Sequence, residues 1–173
     1  MRKLTHEEIV SRQVKKADSP RLPLCVVLNN IRSLHNVGTI FRTADGAGVE
    51  KLWLCGITGY PPQGGIAKTA LGAESHVPWE YRENVLAIIK ELKEKGYQIV
   101  LLEQMHGSVR HDVFKPKAPV CLVIGNEVEG IAESLQSLSD AAVEIEMNGI
   151  KNSLNVAVAF GIAVYQLRSQ LKL

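Results

Sequence analysis

Short, almost wholly apolar runs that alternate with helix-like segments constrain the fold of this chain more than any other feature of its sequence. The runs show no alternation of polar and apolar positions, which is typical of strands covered on both faces. Strands that alternate with helices predict an α/β fold, a mostly parallel sheet flanked by helices. The predicted strands are Leu24–Leu28, Lys51–Cys55, Gln98–Leu102, Val120–Ile124, Val143–Ile145 and, with weaker apolar character, His76–Trp79.

The segments between the runs carry apolar residues at helical spacing. The last of them is apolar around most of its circumference from Val156 to Leu167, so we expect it to be buried in the core or in a subunit interface. Asn152 or Ser153 is its predicted N-cap. The proline- and glycine-rich stretch Tyr60–Gly65 is predicted to be a loop. The predicted helices are Asn36–Ala47, Arg82–Lys95, Ile131–Leu138 and Ser153–Leu171.

Composition and charge fit one globular domain. With 173 residues, 46% of them hydrophobic and 22% charged, the chain is neither too short for a core nor wholly disordered. It has no apolar run of the ~20 residues that a membrane helix needs, and its start lacks the apolar stretch of a signal peptide, so we expect no membrane association.

The formal net charge of +2 is unevenly distributed. Residues 1–23 hold six basic and three acidic residues, whereas the remainder holds 14 basic and 15 acidic ones. We therefore divide the chain into a basic N-terminal extension, residues 1–23, and a main domain, residues 24–173. The extension is either an arm that contacts RNA or a solvated, partly helical N-terminus, and the sequence favours neither.

The three cysteines lie inside predicted apolar runs and have no CxxC spacing. Buried, reduced thiols and a cytoplasmic location are the expectation for Cys25, Cys55 and Cys121. The chain also has no P-loop, no GxGxxG turn, no HExxH, no GxSxG elbow and no cysteine and histidine cluster. These absences weaken the kinase, oxidoreductase, hydrolase and zinc-enzyme interpretations, and we expect no metal.

Three polar, glycine-containing segments follow predicted strands: motif one (29–42), motif two (124–130) and motif three (145–155). Ligands of open α/β sheets bind beyond the carboxyl ends of the strands, where these motifs would lie. Arg42 could clamp a phosphate, and Gly125 and Gly149 would allow a ligand to approach the backbone. From spacing alone, simpler roles are favoured: Asn36 as a helix cap, and Arg42 and Glu127 as solvated charges.

The three motifs together resemble the SpoU (TrmH-like) family of RNA ribose 2′-O-methyltransferases, within the SPOUT class. The resemblance rests on HNVGTIFRTADGAGV, LVIGNEVEGI and IEMNGIKNSLNVAVAFGIAVYQ in this order, and it covers the chain from about Leu24 to Leu167. It implies an α/β fold with a deep C-terminal trefoil knot, S-adenosylmethionine bound in the knot, and a homodimer. Nothing in the periodicity indicates a knot, and knots are very rare in general.

The resemblance also implies roles for individual residues. The residues that match the family's catalytic positions are Arg42, Asn36, Glu127, Ser153 and Asn155. The residues that match its cofactor loops are Leu102, Glu103, Ile124, Gly125, Asn126, Gly130, Ile145, Met147, Ser153 and Leu154. Because a guanidinium is a poor base, Arg42 is either activated by a substrate phosphate or positions that phosphate and the hydroxyl.

The substrate is expected to be RNA. The chain shows only the short basic extension beside the main domain, a layout that favours tRNA over ribosomal RNA. A non-catalytic RNA-binding member of the fold and a SPOUT base methyltransferase remain the alternatives. Possible phosphate contacts in the central region are Lys68, Arg82, Arg110, Lys115 and Lys117.

Overall fold

In residues 1–17 and 19–171, which are those that the computed structural model describes, six helices and seven strands follow one another along the chain. The helices are α1 (His6–Ala17), α2 (Leu34–Ala47), α3 (Gly64–Ala70), α4 (Val85–Glu94), α5 (Glu133–Gln136) and α6 (Val156–Gln170), with a 3-10 turn at Ala73–Ser75. The strands are β1 (Leu22–Asn29), β2 (Val49–Cys55), β3 (Trp79–Arg82), β4 (Gln98–Leu102), β5 (Val109–Arg110), β6 (Val120–Ile124) and β7 (Ala141–Glu144).

The seven strands form one sheet in the order β3-β2-β1-β6-β4-β7-β5. Each neighbouring pair runs parallel, as in the pairing of Leu24 with Val120 between β1 and β6. The carboxyl ends of all the strands therefore lie along the same edge. The predicted α/β class, a mostly parallel sheet flanked by helices, is confirmed.

Apolar clusters cover both faces of the sheet. On one face, Leu24, Val26 and Leu28 of β1 belong to a cluster that includes residues of α2 and α6. On the other face, Cys25 and Val27 belong to a cluster with residues of α4 and α5. Because both faces of the sheet are covered, successive side chains of β1 are buried on whichever face they lie, and the strand is a continuous apolar run. Full burial stabilises a side chain such as valine by about 1.5–3 kcal/mol on either face.

The starts of two helices differ from the prediction. Helix α2 begins at Leu34, and the Ser33 hydroxyl caps it by accepting a hydrogen bond from the Asn36 amide at 3.3 Å. Helix α6 begins at Val156 with Asn155 as its cap, so the predicted caps Asn152 and Ser153 are wrong. Several polar residues in succession can each cap a helix, and local spacing does not choose among them.

Other boundaries also shift. The predicted strand His76–Trp79 is wrong, because β3 starts where that prediction ended. Arg82 consequently belongs to β3, and α4 starts at Val85 with Asn84 as its cap. The short strand β5 and helix α3 were not predicted. Strands β4 and β6 have the bounds that the sequence predicted.

Helix α1 lies within the basic extension and has a reciprocal capping box. The Glu8 amide donates to the Thr5 hydroxyl at 3.3 Å, and the Thr5 amide donates to the Glu8 carboxylate at 2.8 Å. At the end of the extension, Arg21 donates to the backbone carbonyls of Val49 and His76 at 3.0 and 2.7 Å. This guanidinium ties the residue just before β1 to β2 and to the turn before β3.

The three cysteines are free and buried, as predicted. Within the described part of the chain, no helix is long and apolar enough to cross a membrane.

Candidate functional site

A cavity of about 680 Å³ lies at the carboxyl edge of the sheet, where β4, β6 and β7 end. The loops after these three strands and the first turn of α6 form its walls. The lining residues are Leu102, Glu103, Gln104, Ile124, Gly125, Asn126, Glu127, Val128, Gly130, Glu144, Ile145, Met147, Asn152, Ser153, Leu154, Asn155, Val156 and Ala159. All ten residues predicted to contact a cofactor are among them.

Motif two forms a tight turn that leaves no room for a side chain at Gly125. A Cβ there would lie 2.5 Å from the carbonyl oxygen of Gly130, so glycine is required by the turn itself. Gly130 has a φ of +68° and packs against Glu103, whose carboxylate accepts the Ile131 amide at 3.2 Å. Gly149 does not line the cavity, and nothing lies within 4 Å of a Cβ at that position, so a ligand approach there stays a prediction.

Asn126 holds this turn in place from within. Its side-chain oxygen accepts the amides of Val128 and Glu129 at 2.8 and 3.0 Å. Its side-chain nitrogen donates to the Asn30 carbonyl at 2.8 Å and so joins motif two to motif one.

Three polar side chains, one from each motif, form a chain of hydrogen bonds at the cavity. The Asn36 amide group donates to the Glu127 carboxylate at 3.2 Å. The Asn155 amide group donates to the Asn36 side-chain oxygen at 3.1 Å. We call this the amide chain. The Asn155 side-chain oxygen also accepts the amides of Ala157 and Val158, so one residue both caps α6 and completes the amide chain.

The Glu127 carboxylate also binds the N-terminal end of α2. It accepts the backbone amides of Arg32 and Ser33 at 3.1 and 3.3 Å. Partial burial raises the pKa of the Glu127 carboxyl, whereas hydrogen bonds from these amides and from Asn36 lower it. The hydrogen bonds together have the larger effect, so the pKa lies below its usual value. The carboxylate is therefore charged at neutral pH and suited to the positive end of the α2 dipole.

Motif three runs along the mouth of the cavity without regular secondary structure. The Gln104 side chain donates to the Asn152 carbonyl at 2.7 Å and holds the segment against the loop after β4. Ser153 lines the cavity, and within the described residues its hydroxyl has no hydrogen-bond partner in the protein. This hydroxyl is free to bind a ligand.

Two predicted catalytic residues, Asn36 and Arg42, do not line the cavity. Asn36 is hydrogen-bonded to the lining residues Glu127 and Asn155, whereas Arg42 is bonded to neither of them. Arg42 is therefore the one predicted catalytic residue that the structure does not join to the cavity. It is exposed on α2, six positions after Asn36, and among the described residues it has neither an ion pair nor a side-chain hydrogen bond. A charged donor without protein partners is available to an anion.

Some lining residues were missed by the sequence analysis. Val128, Glu144, Val156 and Ala159 lie beside predicted residues in the motifs or in the first turn of α6. Three of these side chains are apolar and the fourth, Glu144, is a single carboxylate outside the motifs, so only proximity to the motifs could have indicated them. The Arg32 and Ser33 amides were missed because backbone donors leave no mark in the sequence.

Comparison with known proteins identifies the family of the chain. The sequence profile of the SpoU rRNA methylase family matches residues 23–165. The chain is 32% identical over 150 residues to a Staphylococcus haemolyticus protein described as a TrmH family tRNA/rRNA methyltransferase, covering 87% of this chain and 60% of the relative. It is 30% identical over 174 residues to the tRNA (guanosine(18)-2′-O)-methyltransferase of Aquifex aeolicus, covering 98% of this chain and 80% of that protein.

Among solved structures, the AdoMet-bound rRNA methyltransferase of Sinorhizobium meliloti superposes with a TM-score of 0.81 at 31% identity, covering 88% of this chain and 59% of that one. This chain thus spans about three fifths of the length of several of these relatives. The resemblance seen in the three motifs is confirmed, and the chain belongs to the SpoU rRNA methylase family.

Proposed function

We propose that this protein transfers a methyl group from S-adenosylmethionine to a ribose 2′-hydroxyl of tRNA. The observation that carries the proposal is the amide chain of Glu127, Asn36 and Asn155 at the mouth of the cavity. The relative from Aquifex aeolicus, which is named as a tRNA ribose methyltransferase and matches nearly the whole chain, supports this reaction.

The residues of the cavity fit S-adenosylmethionine. Leu102, Ile124, Ile145, Met147 and Leu154 provide apolar surface for an adenine ring, and the exposed backbone of motif two provides hydrogen-bonding groups. The Ser153 hydroxyl and the Glu103 carboxylate would bind polar groups of the cofactor. When bound, S-adenosylmethionine supplies an activated methyl group on a sulfonium. A metal ion has no part in this proposal.

The protein's own contribution is to position the RNA and to hold the site in shape. Arg42 binds the phosphate beside the target ribose and orients its 2′-hydroxyl. Glu127 and Asn36 act as positioning residues, because a carboxylate with a lowered pKa is a weak base and both are already engaged in hydrogen bonds. Asn155 holds this arrangement against α6.

The proposal includes a homodimer. An apolar stripe on α6 is exposed in the single chain, with Val158, Ile162 and Tyr165 at 52, 38 and 50% of full exposure. These residues recur at i, i+4 and i+7, the spacing of one helix face. Apolar side chains of this size on one face of a helix favour association with a second apolar surface.

The proposal also includes a trefoil knot formed by the segment after β7. Two hydrogen bonds between the segment after β7 and the loop that joins β4 to β6 support it. The Gln104 side chain donates to the Asn152 carbonyl, and the Gln166 side chain donates to the Asp112 carbonyl. Stretching the chain from both ends in single-molecule force measurements tests this point. A tightened knot shortens the final contour length relative to a fully extended chain, and full extension would contradict it.

Two further points complete the proposal. The basic extension, residues 1–23, contacts RNA, in keeping with its excess of basic residues. Three free, buried thiols suit a reducing compartment, so we place the protein in the cytoplasm. Deletion of residues 1–17 with measurement of RNA affinity tests the first point, and cell fractionation tests the second.

The reaction is tested by incubating the purified protein with methyl-labelled S-adenosylmethionine and, separately, total tRNA and ribosomal RNA. Labelled tRNA that yields alkali-resistant dinucleotides supports the proposal. If ribosomal RNA is labelled instead, the second candidate function applies, which is ribose methylation of ribosomal RNA. The similarity to an rRNA methyltransferase favours this candidate. Methylated bases would contradict the ribose reaction, and absence of cofactor binding by calorimetry would indicate a non-catalytic RNA-binding protein.

A further inference from the structure

The basic residues of the central region have different surroundings. Arg82 and Arg110 are ion-paired with neighbouring carboxylates at 2.5 and 2.6 Å. Lys117 lies at the amino edge of the parallel sheet, away from the cavity, because its amide donates to the Gln98 side chain at the start of β4. Lys115 is two residues before it in the same loop. Lys68 is exposed on α3 and has no ion pair among the described residues. Of the five, Lys68 is therefore the cation best placed to contact a ligand near the site.

Close packing fixes α3, and with it Lys68, against the first turns of α2. A Cβ at Gly38 would lie 2.2 Å from the Thr69 hydroxyl and 2.3 Å from the Ile66 carbonyl, so the two helices touch at this glycine. The Thr69 hydroxyl donates to the His35 carbonyl at 2.9 Å, one residue before Asn36. The backbone of α3 is thus fixed next to the amide chain.

The loop that leads into α3 carries an aromatic side chain on the surface. The Tyr60 ring stacks on Trp79 and tilts over Tyr81, with centroids 6.3 and 4.6 Å apart, and Tyr60 is still 41% exposed. Ile57 before α3 and Leu71 after it are 68 and 66% exposed. Exposed aromatic and aliphatic groups on the same segment as an unpaired cation are typical of surfaces that bind unpaired RNA nucleotides.

We infer that the outer surface of α3 and its leading loop binds the RNA next to the target nucleotide, with Lys68 on a backbone phosphate and Tyr60 against an unstacked base. This inference rests on the proposed function. Asn36 of the amide chain lies on α2, the helix against which α3 packs. It assigns RNA selection to a surface outside the amide chain and outside the cavity.

The test compares Lys68→Ala with Lys90→Ala, which removes an exposed lysine from α4 on the opposite face of the sheet. RNA affinity of the full chain is measured at several salt concentrations, with total tRNA or with ribosomal RNA if that is the RNA that accepts methyl groups. Loss of one phosphate contact is expected to raise the Kd about fivefold near physiological salt and to reduce the salt slope by about 0.7–0.9. Lys90→Ala is expected to match the wild type.

The aromatic contact is tested separately with Tyr60→Ala and Tyr60→Phe. Loss of stacking is expected to weaken RNA binding by about fivefold or more, whereas Tyr60→Phe retains the ring and the affinity. Thermal unfolding checks that each variant is folded, and the Kd for S-adenosylmethionine should remain unchanged in all of them.

The outcomes separate this inference from the proposed function. If the wild-type protein methylates RNA but Lys68→Ala binds RNA with the wild-type Kd and salt slope, this inference is overturned and the proposed function stands. An equal loss in Lys90→Ala would overturn it too, because the effect would then be one of total charge. Wild-type protein that neither binds RNA nor transfers methyl groups would overturn both.

Discussion

At the scale of single residues, Glu127 joins parts of the chain that are far apart in sequence. Its carboxylate contacts Arg32, Ser33 and Asn36, which lie more than 90 positions away. A carboxylate that accepts the two amides just before α2 fixes the loop that leads into the helix, which Ser33 caps. Its charge therefore contributes to the arrangement of motif one beside the cavity.

The lowered pKa of Glu127 makes this contribution depend on pH. A carboxyl with a lowered folded-state pKa stabilises the fold above its ordinary pKa and loses this effect as pH falls towards the lower value. Glu127→Gln is therefore expected to lower the Tm at pH 7, and the difference from wild type should shrink as pH falls from about 5 to about 3. Thermal unfolding across this range measures it. Glu129→Gln, an exposed change in the same loop, is the control, and a pH-independent difference would contradict the prediction.

Arg42 is the residue on which methyl transfer is expected to depend most. Arg42→Ala removes a charged donor from the substrate phosphate, and loss of such a group lowers turnover by about 10²–10³-fold. Cofactor affinity and the oligomeric state should stay as in the wild type, since Arg42 does not line the cavity. Single-turnover methyl transfer and calorimetry measure the two effects. Asp45→Ala, also exposed on α2, is the matched control, and normal turnover in Arg42→Ala would refute the assignment.

At the scale of elements, the contact between α2 and α3 shows how one glycine sets the position of a helix. The space that a side chain at Gly38 would need is filled by Thr69 and Ile66. The sequence analysis assigned no helix at α3, because Gly64 and Gly65 begin it and have low helix propensity. Packing against α2 outweighs this propensity and makes the segment helical.

Gly38→Ala is expected to destabilise the protein by about 1–3 kcal/mol through overpacking. The added methyl group must separate α2 from α3, since one obstructing atom is a backbone carbonyl. Chemical denaturation measures the change. Gly64→Ala, where nothing lies within 4 Å of the new Cβ, is the control and should be neutral or stabilising. A neutral Gly38→Ala would contradict the contact.

The caps of α2 and α6 show the limit of local patterns at this scale. Asn36, Asn152 and Ser153 were all reasonable caps by residue type, but Ser33 and Asn155 occupy these positions. Asn36 then lies inside the first turn of α2, where its side chain is free to join Glu127 to Asn155. A cap is chosen by the path of the preceding loop, and tertiary contacts determine that path.

At the scale of the whole molecule, the stripe of Val158, Ile162 and Tyr165 predicts self-association. Wild-type protein is expected to have twice the 19.0 kDa mass of the chain. Ile162→Asp places a charge in the proposed interface and should give monomers, because an unpaired charge is costly to bury. Light scattering measures the mass. Ile9→Asp, at a similarly exposed isoleucine of α1, is the control, and a monomeric wild type would contradict the prediction.

The sequence by itself determined the class of the fold and the position of its central strands. Continuous apolar runs and helical spacing are local patterns, and burial on both faces of a parallel sheet leaves that mark directly on β1, β4 and β6. The three motifs also identified the polar groups of the candidate site, through residue type and resemblance.

Only the tertiary structure decided how these groups meet. Asn155 reaches Asn36 across 119 positions and Asn36 reaches Glu127 across 91, and no local pattern specifies which distant partner a side chain will find. The same holds for the separation of Arg42 from the cavity and for the placement of Lys68 beside motif one. Propensity and periodicity act over a few residues, whereas the site depends on where the parallel strands end and how the helices pack over them.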